Sequence, residues 1–147
     1  MGKNEIIRLL HLKPLEPEGG FFRETLRSDV QIDAQNIRSD YDGKRSLFTA
    51  IYYLITGDDK SLPHIVRSDE IWFFHIGDPI LLEISSSDGE IRKITLGSDI
   101  AAGQHLHAHI PAGWMQSAKL ATIENGFALV STVVIPGFER EDFSLVR

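Results

Sequence analysis

The sequence predicts an all-β domain, an antiparallel sandwich or barrel with one short helix at the N-terminus. Three observations carry that expectation. Seven short runs are rich in aromatic and β-branched residues: GFFRETLRS, LFTAIYYLI, EIWFFHI, PILLEIS, EIRKITLG, QHLHAHI and FALVSTVVI. Turn-forming pairs separate them, among them Asp42-Gly43, Asp88-Gly89, Asn125-Gly126 and Pro136-Gly137. No helical pattern alternates with the strands, so crossover connections and a parallel sheet are excluded.

The elements follow in order. Near the start, Asn4 is placed to cap a helix whose apolar face carries Ile6, Ile7, Leu9 and Leu10. Val30 to Ser46 is polar and irregular and reads as a long loop or a poorly formed edge strand. Asp88-Gly89 sits where a tight hairpin joins PILLEIS to EIRKITLG.

Bulk properties narrow the function. The chain has 147 residues, the length of one domain of residues 1–147, with a formal charge of −6. An acidic chain without a concentrated basic face is a poor match for a nucleic-acid polymer. Without cysteine there is no disulfide framework, thiolate nucleophile or Cys-ligated zinc. The stretch MGKNEIIRLLHL is too short and too charged for a signal peptide or membrane span, so no membrane partner and a cytoplasmic setting are expected.

Two stretches concentrate the candidate chemistry. GQHLHAHIPAGWMQ (103–116) places His105, His107 and His109 at every second position. On a strand rising roughly 3.3 Å per residue these imidazoles share one face. Two neighbours can reach one ion, but all three cannot without a bend. The row is either half a metal site, if His107 points inward, or a polar strand face. SLPHIVRSDEIWFFHIGDP (61–79) places His64, Val66, Ser68 and Glu70 at one parity, with Trp72 and Phe74 continuing it as walls of an apolar pocket. A glutamate in such a pocket is held neutral, or is charged beside a cation. His64 and Glu70 are therefore either an acid–base pair or a structural pair at a barrel mouth.

His64, Glu70 and Gly77, followed by Gly103, Pro111-Ala112-Gly113 and Gln116, resemble the two sequence motifs of the cupins. With KPLEPEGGFFRETLRS, TAIYYLI and VVIPGFEREDF, the likeness extends from about Leu12 to Phe143 and points to one small cupin family of uncharacterised function. The resemblance implies a double-stranded antiparallel β-helix, a jelly-roll barrel, and a homodimer with GGFFRETLRS near the partner. Metal-binding cupins use three histidines and a glutamate. Here two of those positions hold Val66 and Gln116, so no cofactor is expected beyond a weak or adventitious divalent metal. If one bound, His64, Glu70 and His107 would be its ligands.

GGFFRET is also similar to a stretch of the deoxysugar-nucleotide epimerases, which are metal-free cupins. That likeness implies Arg23 as an anion anchor and His64 as a base, although Arg23 also fits a solvated strand-face charge. One of Tyr52 and Tyr53 should face inward, because they have opposite parity. The expectation is a cavity for a polar, anionic sugar or nucleotide derivative, with proton-transfer isomerisation or epimerisation. His64 and Glu70 would be catalytic, and Arg23, Tyr52, Tyr53, Trp72, Phe74, His107 and Gln116 would bind the ligand. The alternatives are a non-catalytic binding or sensing cupin and a metal-dependent oxygenase or isomerase.

Overall fold

The computed structural model describes residues 1–146. Its architecture is the expected jelly roll, two antiparallel sheets packed face to face. After helix α1 (Lys3–Leu9) come β1 (Lys13–Pro14), β2 (Phe21–Arg27), β3 (Gln31–Asp33), β4 (Lys44–Ser46), β5 (Thr49–Thr56), β6 (Ser61–Val66) and β7 (Asp69–Gly77). The chain continues through β8 (Ile80–Ser85), β9 (Ile91–Leu96), β10 (His107–Ile110), β11 (Met115–Leu120), β12 (Phe127–Ile135) and β13 (Phe143–Leu145). One sheet has the order β1-β2-β5-β12-β7-β10, the other β13-β6-β11-β8-β9, and β3-β4 form a separate ribbon. No helix is long and apolar enough to cross a membrane.

Inward residues of both sheets make one core. Tyr53, Trp72, Val130 and Ile110 from the six-stranded sheet meet Ile80, Leu82, Ile84, Leu96 and Ala118 from the other. Trp72 stands edge-on to Tyr53, their ring centroids 5.7 Å apart. A second, smaller cluster lies on the outer face of the six-stranded sheet, where α1 covers Leu54, Phe127 and Leu129 with Ile6, Ile7 and Leu10. The helix start differs from the expectation: Gly2 is the cap residue and no side chain caps it, while Leu9 is 48% exposed. Seven residues give too little helix for capping to decide its position. Burial of Ile6 does so.

The segment expected to be a long loop or a poorly formed edge strand holds the short β3–β4 ribbon and is built into the fold. Tyr41 and Arg45 are buried in the connection and ribbon between β2 and β5. The Arg45 guanidinium makes a two-pronged bond to Asp142, with Nε 2.9 Å and Nη2 2.7 Å from its carboxylate oxygens. It also lies over the Tyr41 ring, whose hydroxyl bonds to Ser68. Both charges of the pair are removed from water, so each requires the other. Asp142 precedes β13, and this clasp holds the C-terminal strand beside β6. Asp142→Ala should lower stability by about 3 kcal/mol by leaving buried Arg45 with only the exposed Glu141 carboxylate, 3.0 Å away, as its ionic partner, measurable by urea denaturation.

Candidate functional site

The chain changes sheets between β6 and β7, at Arg67–Ser68. His64, Val66, Ser68 and Glu70 are all buried, as their shared parity predicts, yet they belong to two sheets. His64 thus enters the interior from one side and Glu70 from the other. Gln116 sits opposite His64 in the β11–β6 register, and its amide donates to Glu70 Oε1 at 3.2 Å. His64 Nδ1 lies 2.7 Å from the Leu62 carbonyl. A carbonyl only accepts, so Nδ1 carries the proton and Nε2 presents a lone pair to the interior. The Phe143 ring stacks on the imidazole at 5.3 Å between centroids.

The group facing Nε2 is Glu18, whose Oε1 is 3.6 Å away. Glu18 is not among the candidate residues above, and the paired glycines of PEGG are its local signal. Gly19 and Gly20 both have positive φ, +105° and +79°. A Cβ on Gly20 would stand 2.7 Å from a Tyr53 ring carbon, and one on Gly19 would collide with the Lys60 carbonyl. Only two glycines allow the turn to press this closely on the sheet. Tyr53 Oη donates to the Gly19 carbonyl at 2.6 Å, and the Gly20 amide donates to Asp59 at 2.8 Å. Held in this way, Glu18 turns its carboxyl into the barrel, where Ser61 Oγ lies 3.4 Å from Oε2.

The electrostatics are those of groups kept from water without a compensating cation. Burial raises Glu18 from 4.5 to about 7. Burial, reinforced by repulsion from Glu18, raises Glu70 from 4.5 to about 7. Desolvation lowers His64 and outweighs the opposing pull of the Leu62 carbonyl and Glu70. Burial therefore favours the neutral form of all three groups in this site. Protons can be moved here at little cost.

Beside this cluster lies a cavity of about 90 Å³, walled by Phe22, Ile51, Tyr53, Val66 and Val134 and floored by Glu70 and Thr132. A second space of about 90 Å³ adjoins it through Leu15, Glu18, Phe22 and Phe138 and leads out past Arg140. The Thr132 hydroxyl is fully buried beside the Glu70 carboxyl, and the Gln116 carbonyl oxygen and the Trp72 indole nitrogen are buried without a hydrogen-bond partner.

Several expected ligand-binding residues lie elsewhere. Arg23 is on the outer face of β2, where Nε donates to the Leu10 carbonyl at 2.7 Å and the guanidinium covers the Tyr52 ring. Tyr52 shares that outer face, so Tyr53 is the tyrosine that turns inward. Trp72 and Phe74 point inward as expected, but they pack in the core and do not line the cavity. His107 and His109 are exposed because Ala108 and Ile110 take the inward positions on β10. His107 packs edge-on against Phe73, and His109 lies 3.4 Å from Asp69. The histidine row is a polar strand face, and His107 cannot join His64 and Glu70.

The positions that the cupin resemblance would give to metal ligands do not suit a metal. Val66 offers no lone pair, the Gln116 amide is turned to Glu70, and His64 Nδ1 is committed to a carbonyl. Among the described residues no group of three His, Cys, Asp or Glu side chains is arranged to hold an ion.

A jelly roll with a polar cluster spanning its two sheets is the architecture of the cupins. Residues 4–146 match the family described as Cupin superfamily (DUF985), and the chain belongs to that family. An uncharacterised protein of Saccharomyces cerevisiae, YML079W, is 31% identical over 141 residues, covering 88% of this chain and 68% of the yeast protein. Protein SO0799 from Shewanella oneidensis has a solved structure with a TM-score of 0.86 and 32% identity, covering 99% of this chain and 85% of that one. A hypothetical protein from Leishmania major gives a TM-score of 0.89 and 29% identity, covering 99% and 88%. Oxalate decarboxylase from Bacillus subtilis gives 0.59 at 13% identity, with 95% of this chain on 31% of that one, a likeness of fold alone.

The raised carboxyls set a pH dependence whose sign is fixed. Between 4.5 and about 7 the native state holds protons at Glu18 and Glu70 that the unfolded chain has released. Stability contributed by the protonated groups is therefore complete below pH 4.5 and falls as pH rises to about 7. Glu70→Gln, neutral at every pH, should reduce that decline by about 2 kcal/mol in denaturation curves compared at pH 5 and pH 8.

Proposed function

We propose that this cupin binds a small molecule in the barrel and transfers protons to and from it without a resident metal. The observation that carries the reading is the Glu18–His64 pair. A buried imidazole fixed in one tautomer directs its free Nε2 at the Glu18 carboxyl 3.6 Å away, and it is this carboxyl, not the imidazole, that lines the cavity, so His64 acts on a ligand through Glu18. His64 is the base, Glu18 the partner that supplies or receives its proton, and Glu70, oriented by Gln116, the second acid. The chemistry that fits is isomerisation or epimerisation through loss and return of a proton next to a carbonyl.

The ligand reading departs from the sequence expectation. The inner cavity has no arginine or lysine among its lining residues, and Arg23 is on the other face of the sheet. A nucleotide or phosphate would meet Glu18 and Glu70 without a counter-charge, and the inner space holds only a few non-hydrogen atoms. The reacting part of the ligand is therefore small and not anionic.

The test is solvent-deuterium exchange into a bound ligand, followed by NMR, with ligands found by screening small polar compounds. His64→Ala should slow exchange by about 100-fold or more, with binding changed only a few-fold, because a base acts chiefly in the transition state. Glu18→Gln should slow exchange and shift its pH profile. If ligands occupy the cavity and none exchanges or converts, the protein is a binding module and the catalytic reading fails.

A further inference from the structure

We propose that the barrel cavity takes a small organic cation, an alkylammonium whose charged end lies between Glu18 and Glu70 and whose tail packs on the apolar wall. The proposal rests on the reading that this cavity is the ligand site, and it names the class of ligand.

Charge is the first argument. The inner cavity brings together two carboxyl groups, and no lysine or arginine lines it. His64 does not supply the counter-charge, because burial favours its neutral form. Glu24, at the rim, is already matched by Arg27 at 2.7 Å. The remaining charged groups lie toward the exit. Lys13 stands over the Phe22 ring at 5.5 Å, and exposed Arg140 shares the outer space with Glu16. An ammonium entering the inner cavity would neutralise what the fold leaves unpaired. A carboxylate or phosphate would add a third negative charge, and a neutral alcohol would compensate nothing above pH 7.

The walls and a buried hydroxyl point the same way. Phe22, Tyr53 and Phe138 bring aromatic rings to the cavity, and ring faces attract cations. Ile51, Val66 and Val134 complete an apolar surface suited to a short branched tail. Thr132 lines the same space, and its buried hydroxyl adjoins the Glu70 carboxyl and has no other partner. An ammonium has three N–H donors and no acceptor. Glu18, Glu70 and Thr132 offer it three acceptors.

Three probes of nearly one shape separate the possibilities: isobutylammonium, isobutanol and isobutyrate. Each is titrated into the full-length protein by calorimetry and by amide NMR at pH 6 and pH 8. Isobutylammonium should bind with shifts centred on Phe22, Thr132 and Glu70, about tenfold or more tighter than isobutanol, and isobutyrate should not bind. Its affinity should rise at least about tenfold from pH 6 to pH 8 as the carboxyls ionise, with proton release detected in buffers of different ionisation enthalpy. Glu70→Gln and Glu18→Gln, which preserve shape, should each weaken the ammonium about tenfold and flatten its pH dependence; thermal melts verify that each variant is folded. Equal or tighter binding of isobutanol or isobutyrate in the cavity would overturn the cation while leaving it a ligand site for the exchange test. Failure of isobutylammonium to bind, or binding unchanged in both folded variants, would also overturn the proposal.

Discussion

Two carboxyl groups and an imidazole enclosed between apolar sheets set the terms for the rest of this structure. An ionised carboxylate moved from water into such a place is costly unless a cation or several donors meet it. Here Glu70 receives one amide from Gln116, and Glu18 is approached by Ser61 and His64. The fold meets the shortage by keeping both groups protonated to about pH 7. The raised proton affinity and the marginal polar satisfaction of this site are the same physical fact.

Such a cluster requires a frame that does not relax around it. Asp142 and Arg45 supply part of it by fixing the start of β13, whose Phe143 covers the His64 ring. The Gly19-Gly20 turn supplies another part, locked by the Tyr53 hydroxyl, whose own ring is wedged against Trp72. The core and the site are consequently continuous: Tyr53 belongs to the main hydrophobic cluster and lines the cavity at once. Substitutions at Tyr53 or Trp72 would reach the chemistry by tilting the turn that carries Glu18.

The family relationship and the geometry address different questions. Membership in the DUF985 cupins accounts for the jelly-roll fold, while the geometry places His64, Glu70 and Gln116. Val66 and Gln116, where the cupin resemblance would put imidazoles, form an apolar wall and an amide that orients a carboxyl. Relatives with the same fold and little sequence identity, such as oxalate decarboxylase, inform the scaffold and not the reaction.

Local sequence determined the seven strands β2, β5, β7, β8, β9, β10 and β12, the Asp88-Gly89 hairpin and the inward parity of His64, Val66, Ser68 and Glu70, because alternation and turn chemistry act over a few residues. It also determined that one of Tyr52 and Tyr53 would face inward. What it left open was which face of each strand is the interior. His107 and Arg23 lie on strands where both faces carry plausible residues, and packing settled the matter: Ala108 and Ile110 fill the core, and α1 covers the side bearing Arg23. The burial of Tyr41 and Arg45 depended on Asp142, 97 residues from Arg45, and no local pattern reports such a partner. Glu18 entered the site for the same reason. Its neighbours His64, Ser61 and Tyr53 come from other strands, and only the packing of the turn on the sheet brings its carboxyl to the imidazole.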